Sequence, residues 1–286
     1  MREATRVAVA QLDARPAELS GNATRVAAAA AAADAQLLLT PELSLTGYDL
    51  RDAAAAVACP LAPGTVLEGP FELLREAPGA ILAGLVERGP DEVPYNVLAL
   101  IAGGAVRQIH RKLYLPTYGM FDEARYFGRG AQLQPVPLPG GWLGGLLICE
   151  DFWHPALSYV LAAAGVDVLC VAAAAPGRGA WDGGEHGEFA SVDAWERIAR
   201  ATAQLYGIYV LLANRVGVEG AVTFAGGSLI VGPAGDVIAR APTDAPALLR
   251  ATLDPAELGR ARRPAYHGRD DRPEVVVREL HRLGLA

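Results

Sequence analysis

Short, densely apolar runs recur along the whole chain, separated by polar turns or by longer stretches of helical character, with no break in composition. The runs at residues 6–11, 36–40, 80–87, 97–101, 106–111, 145–149, 167–171, 208–214, 227–231, 237–240 and 247–253 are rich in branched residues and predict β-strands. Several are apolar at every position rather than at alternate ones, so both faces of their sheet must be covered. The spacing predicts helices over 23–33, 155–164 and 191–206, the first with Asn22 as its N-cap. Alanine is the strongest helix former, so 27–33 reads as a thinly packed outer helix. Ala102-Gly103-Gly104 and Pro233-Ala234-Gly235-Asp236 announce hairpins. Eleven strands are too many for one modest sheet. The pattern therefore predicts one α/β domain over 1–286, a four-layer αββα sandwich of two sheets packed face to face with helices outside. Residues 260–272 are basic, broken by proline and poorly patterned, and predict a loop or a tail from about residue 259 that docks on a partner subunit.

Composition narrows the class. Of 286 residues, 52% are hydrophobic and 20% charged, which suits a globular protein with a large core. Thirty-two acids against 25 bases give a net charge of −7, a balance that repels phosphate backbones and argues against nucleic acid as a partner. Three widely spaced cysteines, Cys59, Cys149 and Cys170, form neither a bridge framework nor a metal knuckle, and they suit a reducing, cytoplasmic setting. Glu3 and Thr5 stand where a signal peptide needs apolar residues, and no run approaches the roughly 18 apolar residues of a membrane span.

Candidate chemistry lies at the carboxyl ends of three predicted strands, where α/β proteins commonly carry reactive groups. The run Leu37-Leu38-Leu39-Thr40 enters Pro41 and delivers Glu42; Lys112 interrupts an apolar stretch after Ile109; and Leu146-Leu147-Ile148 stops at Cys149, followed by Glu150 and Asp151. Taken singly, these would be a surface acid, a snorkelling lysine and an inert core thiol.

Together they match a family signature in residue type, order and flanks. The chain resembles the nitrilase superfamily of carbon–nitrogen hydrolases, and within it the glutaminase domain of glutamine-dependent NAD synthetases. The carrying segments are Pro41-Glu42-Leu43-Ser44-Leu45-Thr46-Gly47-Tyr48, the stretch from Arg111-Lys112-Leu113-Tyr114-Leu115-Pro116 to Phe121-Asp122-Glu123-Ala124-Arg125-Tyr126-Phe127, Ile148-Cys149-Glu150-Asp151, and Asn214-Arg215-Val216-Gly217. The resemblance implies the αββα fold and a Glu–Lys–Cys triad, with Cys149 as nucleophile, Glu42 as base and Lys112 as oxyanion stabiliser. It further implies that Glu123 orients lysine and substrate, and that Tyr48, Tyr118 and Phe121 wall the pocket beside Glu150.

The chemistry asks for these groups. A free thiol has a pKa near ~8.5, so attack on an amide carbon needs a neighbouring base. Charge developing on the carbonyl oxygen needs a fixed cation and a backbone N–H. No cofactor is implied, and His110, His154 and His186 show no metal spacing. The chain departs from the NAD synthetase branch at Ala172-Ala173-Ala174-Ala175-Pro176, where that branch usually carries serines; the lost hydroxyls remove hydrogen bonds that a zwitterionic substrate would use. The Gly-rich stretch 177–184 reads as a lid, and Arg178 is either a clamp for a substrate carboxylate or a solvated cation. The expected substrate is glutamine or a similar small ω-amide, the released ammonia being free or passed to a separate ammonia-using synthetase. An aliphatic amidase or N-carbamoyl amide hydrolase is the alternative, and an idle binding subunit the remote one. A homo-oligomer built on a two-fold dimer is expected, with the basic tail anchored by Tyr266 and Val275-Val276-Val277.

Overall fold

The computed structural model describes residues 1–179, 189–265 and 267–285. Among them the strands are β1 (Thr5–Gln11), β2 (Leu37–Leu39), β3 (Cys59–Pro60), β4 (Ala80–Arg88), β5 (Pro94–Ala102), β6 (Ala105–Arg111), β7 (Val136–Leu138), β8 (Trp142–Ile148), β9 (Val168–Ala173), β10 (Tyr209–Asn214), β11 (Val216–Glu219), β12 (Val222–Ala225), β13 (Leu229–Val231), β14 (Val237–Arg240) and β15 (Ala247–Leu253). The α-helices are α1 (Leu19–Ala33), α2 (Ala54–Val57), α3 (Glu123–Tyr126), α4 (Pro155–Ala163), α5 (Ala190–Tyr206), α6 (Pro255–Ala265) and α7 (Pro273–Arg282).

One mixed sheet runs β15-β1-β2-β4-β5-β6, with β3 beside β4, and a second runs β14-β13-β10-β9-β8-β7. The pleat sorts their side chains by parity. Val7 and Val9, Leu37 and Leu39, and Leu98 and Leu100 join one buried cluster with residues of β8, β9 and β10, which is the seam between the sheets. The alternate residues Ala8 and Ala10, Leu38, and Val97 and Ala99 join another with Ala23, Val26 and Ala30 of α1, which covers the outer face. On the far side, Leu161 of α4 and Trp195, Ala199 and Ala203 of α5 pack with the second sheet. The four layers follow the apolar pattern, and both hairpins form, between β5 and β6 and between β13 and β14.

Topology brings the strand ends together. β1, β2 and β4 run parallel, and β6 shares their direction because two antiparallel pairings separate it from β4. β8, β9 and β10 are parallel in the other sheet. The carboxyl ends of β2 and β6 therefore lie at one edge of the first sheet, and those of β8 and β9 at one edge of the second.

Three expectations are corrected. Four more strands exist than the eleven read from apolar runs, since β3, β7, β11 and β12 are too short or too polar to stand out. Asn22 is not the N-cap: α1 begins at Leu19, and the fully buried Asn22 amide instead exchanges bonds with the Arg15 backbone (2.9 and 2.7 Å) and reaches the Leu45 carbonyl. The stretch 260–272 is not simply a loop or tail. Most of its first half is the end of α6, which docks on its own domain through buried Leu258 and through Arg262, whose guanidinium bonds the Gly207 and Val166 carbonyls and Asp167. Tyr266 lies outside the described residues. Val276, Val277 and Leu280 of α7 are exposed and do not anchor it on this chain.

Candidate active site

Each reactive group stands just beyond a strand end. After β2, the Thr40 amide still bonds the Leu82 carbonyl of β4 (2.9 Å), and the chain then turns at Pro41 with the Thr40 and Ser44 hydroxyls 2.7 Å apart. This turn lies directly on β4. A Cβ at Gly84 would meet the Leu43 nitrogen at 2.4 Å and the Pro41 oxygen at 2.5 Å, so only glycine lets the Glu42 turn approach. Lys112 prolongs the β5–β6 pairing by one residue, its amide bonding the Asn96 carbonyl at 2.9 Å. Glu123 opens α3, with its amide bonded to the Pro116 carbonyl. Cys149 follows the last residue of β8 and begins a 3-10 turn, Cys149–Trp153, at φ +46°, a left-handed conformation that a non-glycine residue adopts at some energetic cost.

The side chains converge in a dry centre. The Lys112 ammonium is fully buried, 2.7 Å from Glu42 Oε1 and 2.8 and 2.7 Å from the two Glu123 oxygens. Glu42 is also fully buried and accepts two further bonds, from the Asn96 amide (2.8 Å to Oε1) and from the Ala174 N–H (2.9 Å to Oε2). Tyr48 donates its phenol to Glu123 Oε1 at 2.5 Å. Burial alone would lower the Lys112 pKa, but the Glu123 and Glu42 charges outweigh it and hold the ammonium well above its ordinary value. One cation cannot satisfy two carboxylates equally. Burial, opposed by Lys112 and reinforced by Glu42, raises Glu123 to about 7. Cys149 is pushed well above the ordinary thiol range, first by burial and then by Glu42, while Lys112 pulls the other way. At neutral pH the resting group is therefore a thiol beside a carboxylate and an ammonium, an arrangement suited to nucleophilic attack with proton transfer.

The mouth is polar and aromatic. Exposed Tyr118 donates to Glu150 Oε2 at 2.6 Å and stacks edge-on against Phe121, whose ring also meets Tyr48. Arg178 is exposed, its guanidinium 5.2 Å from the Phe121 ring centre. A cavity of about 460 Å³ opens beside Tyr48, Phe121, Glu123 and Phe224. Behind Cys149, Ala173, Ala174 and Ala175 are buried and offer no side-chain polar group.

All nine singled-out residues thus lie in or around one site: Glu42, Lys112, Cys149 and Glu123 at its centre, and Tyr48, Tyr118, Phe121, Glu150 and Arg178 around it. Glu123 is buried and paired with Lys112 and not with Arg125, which lies 4.0 Å from Asp122. Asn96, the Ala174 amide and the Phe224 ring against Tyr48 were missed. Asn96 carries a legible signal, a lone amide inside the otherwise apolar β5. Burial raises Cys59 to about 11 and Cys170 to about 12, and both lie in strands away from the charged centre. Residues 180–184 of the Gly-rich stretch and His186 lie outside the described residues. Among those described, no group of three or more His, Cys, Asp or Glu could hold a metal ion, and no helix is long and apolar enough to cross a membrane.

A sequence model of the carbon-nitrogen hydrolase family matches residues 6–263. The glutamine-dependent NAD(+) synthetase of Rhodobacter capsulatus is 32% identical over 270 residues, which are 89% of this chain and 44% of that protein. The chain thus spans less than half the length of this curated relative. A protein of Pseudomonas protegens named as a hydrolase in the pqqF 5' region is 32% identical over 94% of this chain and 90% of its own. Among solved structures, glutamine-dependent NAD+ synthetase from Acinetobacter baumannii superposes with a TM-score of 0.78 at 25% identity, covering 90% of this chain and 47% of that one. The amidase of Nesterenkonia sp. AN1 superposes at 0.76 and 28% identity, covering 96% of this chain and all (100%) of that one.

The raised Glu123 pKa has a consequence for stability. Because the folded protein protonates this carboxyl more readily than the unfolded chain does, its stabilising contribution is full below about 4.5 and is lost as pH rises through about 7. Thermal melts at stepped pH should show wild type losing stability relative to Glu123→Gln between those values, with a level difference above. A difference that grows in favour of wild type with rising pH refutes this.

Proposed function

The chain belongs to the carbon–nitrogen hydrolase family, and we propose that it hydrolyses a small linear amide through a Cys149 thioester, releasing ammonia. The observation that carries this reading is the Lys112 ammonium locked between Glu42 and Glu123 with the Cys149 thiol in their field. Glu42 takes the thiol proton as sulfur attacks the carbonyl carbon. The oxygen gains charge, and the Lys112 ammonium, which at rest shares its three N–H groups between Glu42 and Glu123, turns one of them to that oxygen, alongside the Glu150 backbone N–H. Collapse breaks the C–N bond, and Glu42 passes its proton to the departing nitrogen. Water then adds to the thioester with Glu42 again taking a proton, and the acid leaves as the thiol is restored.

Glutamine, or a related ω-amide of an amino acid, is the preferred substrate in this reading. Glu150 and Arg178 set opposite charges at the mouth, as an ammonium and a carboxylate on one carbon require. The ammonia then serves a separate ammonia-using synthetase. One observation favours an aliphatic amidase or N-carbamoyl amide hydrolase instead: the buried Ala173, Ala174 and Ala175 give an amino-acid head group no hydroxyl to bind. Ammonia release from glutamine, asparagine, simple aliphatic amides and carbamoyl amino acids separates the two. Glutamine turnover should fall at least tenfold in Arg178→Ala or Glu150→Gln, while turnover of a simple amide is spared.

Mass spectrometry after incubation with iodoacetamide should find the adduct on Cys149; adducts on Cys59 or Cys170 in its place would sink the nucleophile. Lys112→Arg should retain less than about a tenth of wild-type kcat/KM, a loss above ~1.4 kcal/mol, because the broad guanidinium cannot occupy a point-charge position between two carboxylates. Retention of more than that tenth would exclude the tight oxyanion role.

We further propose a two-fold dimer. Val276, Val277, Leu280 and Leu283 of the C-terminal helix region, Val160 of α4 and Leu205 of α5 are exposed apolar side chains on the outer helices. Light scattering at micromolar concentration should report a dimer for the whole chain and a smaller species for a chain ending at Arg272. A monomeric whole chain rejects the dimer, and an unchanged dimer after truncation rejects the role of α7.

A further inference from the structure

Two sheets supply the reacting groups, and nothing in a sheet's own hydrogen bonding sets how far Lys112, at the end of β6, stands from Cys149, at the end of β8. A single side chain spans that gap. Asp151, two residues after Cys149, is fully buried, and its oxygens reach both strand ends. Oδ1 accepts from the amides of Leu113 (3.0 Å) and Tyr114 (2.9 Å), the two residues that follow Lys112. Oδ2 accepts from the amide of Ile148 (3.1 Å), the residue before Cys149, and lies 3.2 Å from His110 Nε2, two residues before Lys112. A carboxylate has about four acceptor positions, and all four are used. Three of the four partners flank Lys112, and the fourth flanks Cys149. His110 is itself nearly buried, so the link is dry on both sides.

We propose that Asp151, with His110 behind it, is a positioning residue that fixes the Lys112 ammonium relative to the Cys149 thiol and holds Cys149 in its left-handed turn. This rests on the thioester reading given above. Asp151 has no path to substrate of its own, since its oxygens face three backbone amides and the buried His110 ring. Its effect must therefore appear in the rate of reaction at sulfur and not in substrate affinity.

Asp151→Asn preserves size but presents an amino group to one of the two backbone sites, donor against donor. The measurements are kcat and KM on whichever amide the wild type hydrolyses best, and the rate at which iodoacetamide alkylates Cys149, followed by mass spectrometry with buried Cys170 as the internal report of unfolding. The alkylation forms a C–S bond, expels iodide and delivers the thiol proton to Glu42, so it tests the thiol's surroundings without amide turnover. The expected result is a folded variant with Cys170 unlabelled, kcat and Cys149 alkylation each at least tenfold slower, and KM within threefold of wild type. Rates within threefold of wild type, or a loss confined to KM, overturn the proposal. Should Asp151→Asn fail to fold, His110→Ala decides: at least a threefold drop in both rates at unchanged KM supports the link, and wild-type rates overturn it. A wild type that turns over none of the amides offered removes the hydrolase reading, while the alkylation comparison still tests the link.

Discussion

A lysine ammonium without water is the constraint around which the site is organised. Removing such a charge from solvent costs several kcal/mol after relaxation, and only close partners of opposite sign offset it. Lys112 has two, Glu42 and Glu123, within 2.8 Å. Two carboxylates around one cation leave an excess negative charge in the dry centre, and the remaining contacts answer that excess. Asn96, the Ala174 amide and the Tyr48 phenol all donate to the carboxylates, and Glu123, raised to about 7, takes up the strain by holding a proton more readily than a solvated acid. Burial first, and then the Glu42 charge, keep Cys149 a thiol at rest. In the proposed reaction a proton leaves sulfur as the carbon is attacked, which is what an adjacent carboxylate provides for.

The fold supports this charge cluster by delivering rigid strand ends and little else. Gly84 admits the Glu42 turn against β4, β5 carries Asn96 to Glu42, and the Ala174 amide, just past β9, donates to the same carboxylate. The left-handed φ of Cys149 places a strained residue at the proposed reacting position, and its neighbours Ile148 and Asp151 are tied down on both sides. Because β2 and β6 belong to one sheet and β8 and β9 to the other, the apolar seam between the sheets is also the scaffold of the polar centre at its end. Packing errors in that seam would be read directly as displaced charges.

Much of this was legible in the chain because burial on both faces writes itself as uninterrupted apolar runs. Polar residues at the ends of such runs, Glu42, Lys112 and Cys149, stand out for the same reason. What was illegible has a common cause: partners that are backbone groups leave no mark. Nothing in the sequence says that Asn22 bonds the Arg15 backbone rather than capping α1, or that Asp151 bonds three amides. The C-terminal misreading is different, because the signal was present. Asp254 accepts from the Ala256 amide, and Pro255 occupies the first turn, the expected start of a helix that runs on into the basic stretch.

The chemical centre and the entrance pull in different directions on selectivity. The proposed triad would act on the amide alone, so in that reading discrimination comes from the groups around it. The floor near Cys149 is alanine, which accepts a slim apolar chain and binds no polar head. The mouth holds Glu150, tied to Tyr118, and Arg178 over Phe121, which suit a head carrying both charges. In the proposed reading, a substrate that satisfies both regions would have its amide at the floor, an aliphatic spacer along the alanines and charged groups outside, where solvent still screens them. Charges at that distance from the reacting carbon contribute binding more than rate, so in the proposed reading they would sort substrates chiefly through affinity, whereas the Lys112 cluster would govern how fast a correctly seated amide reacts.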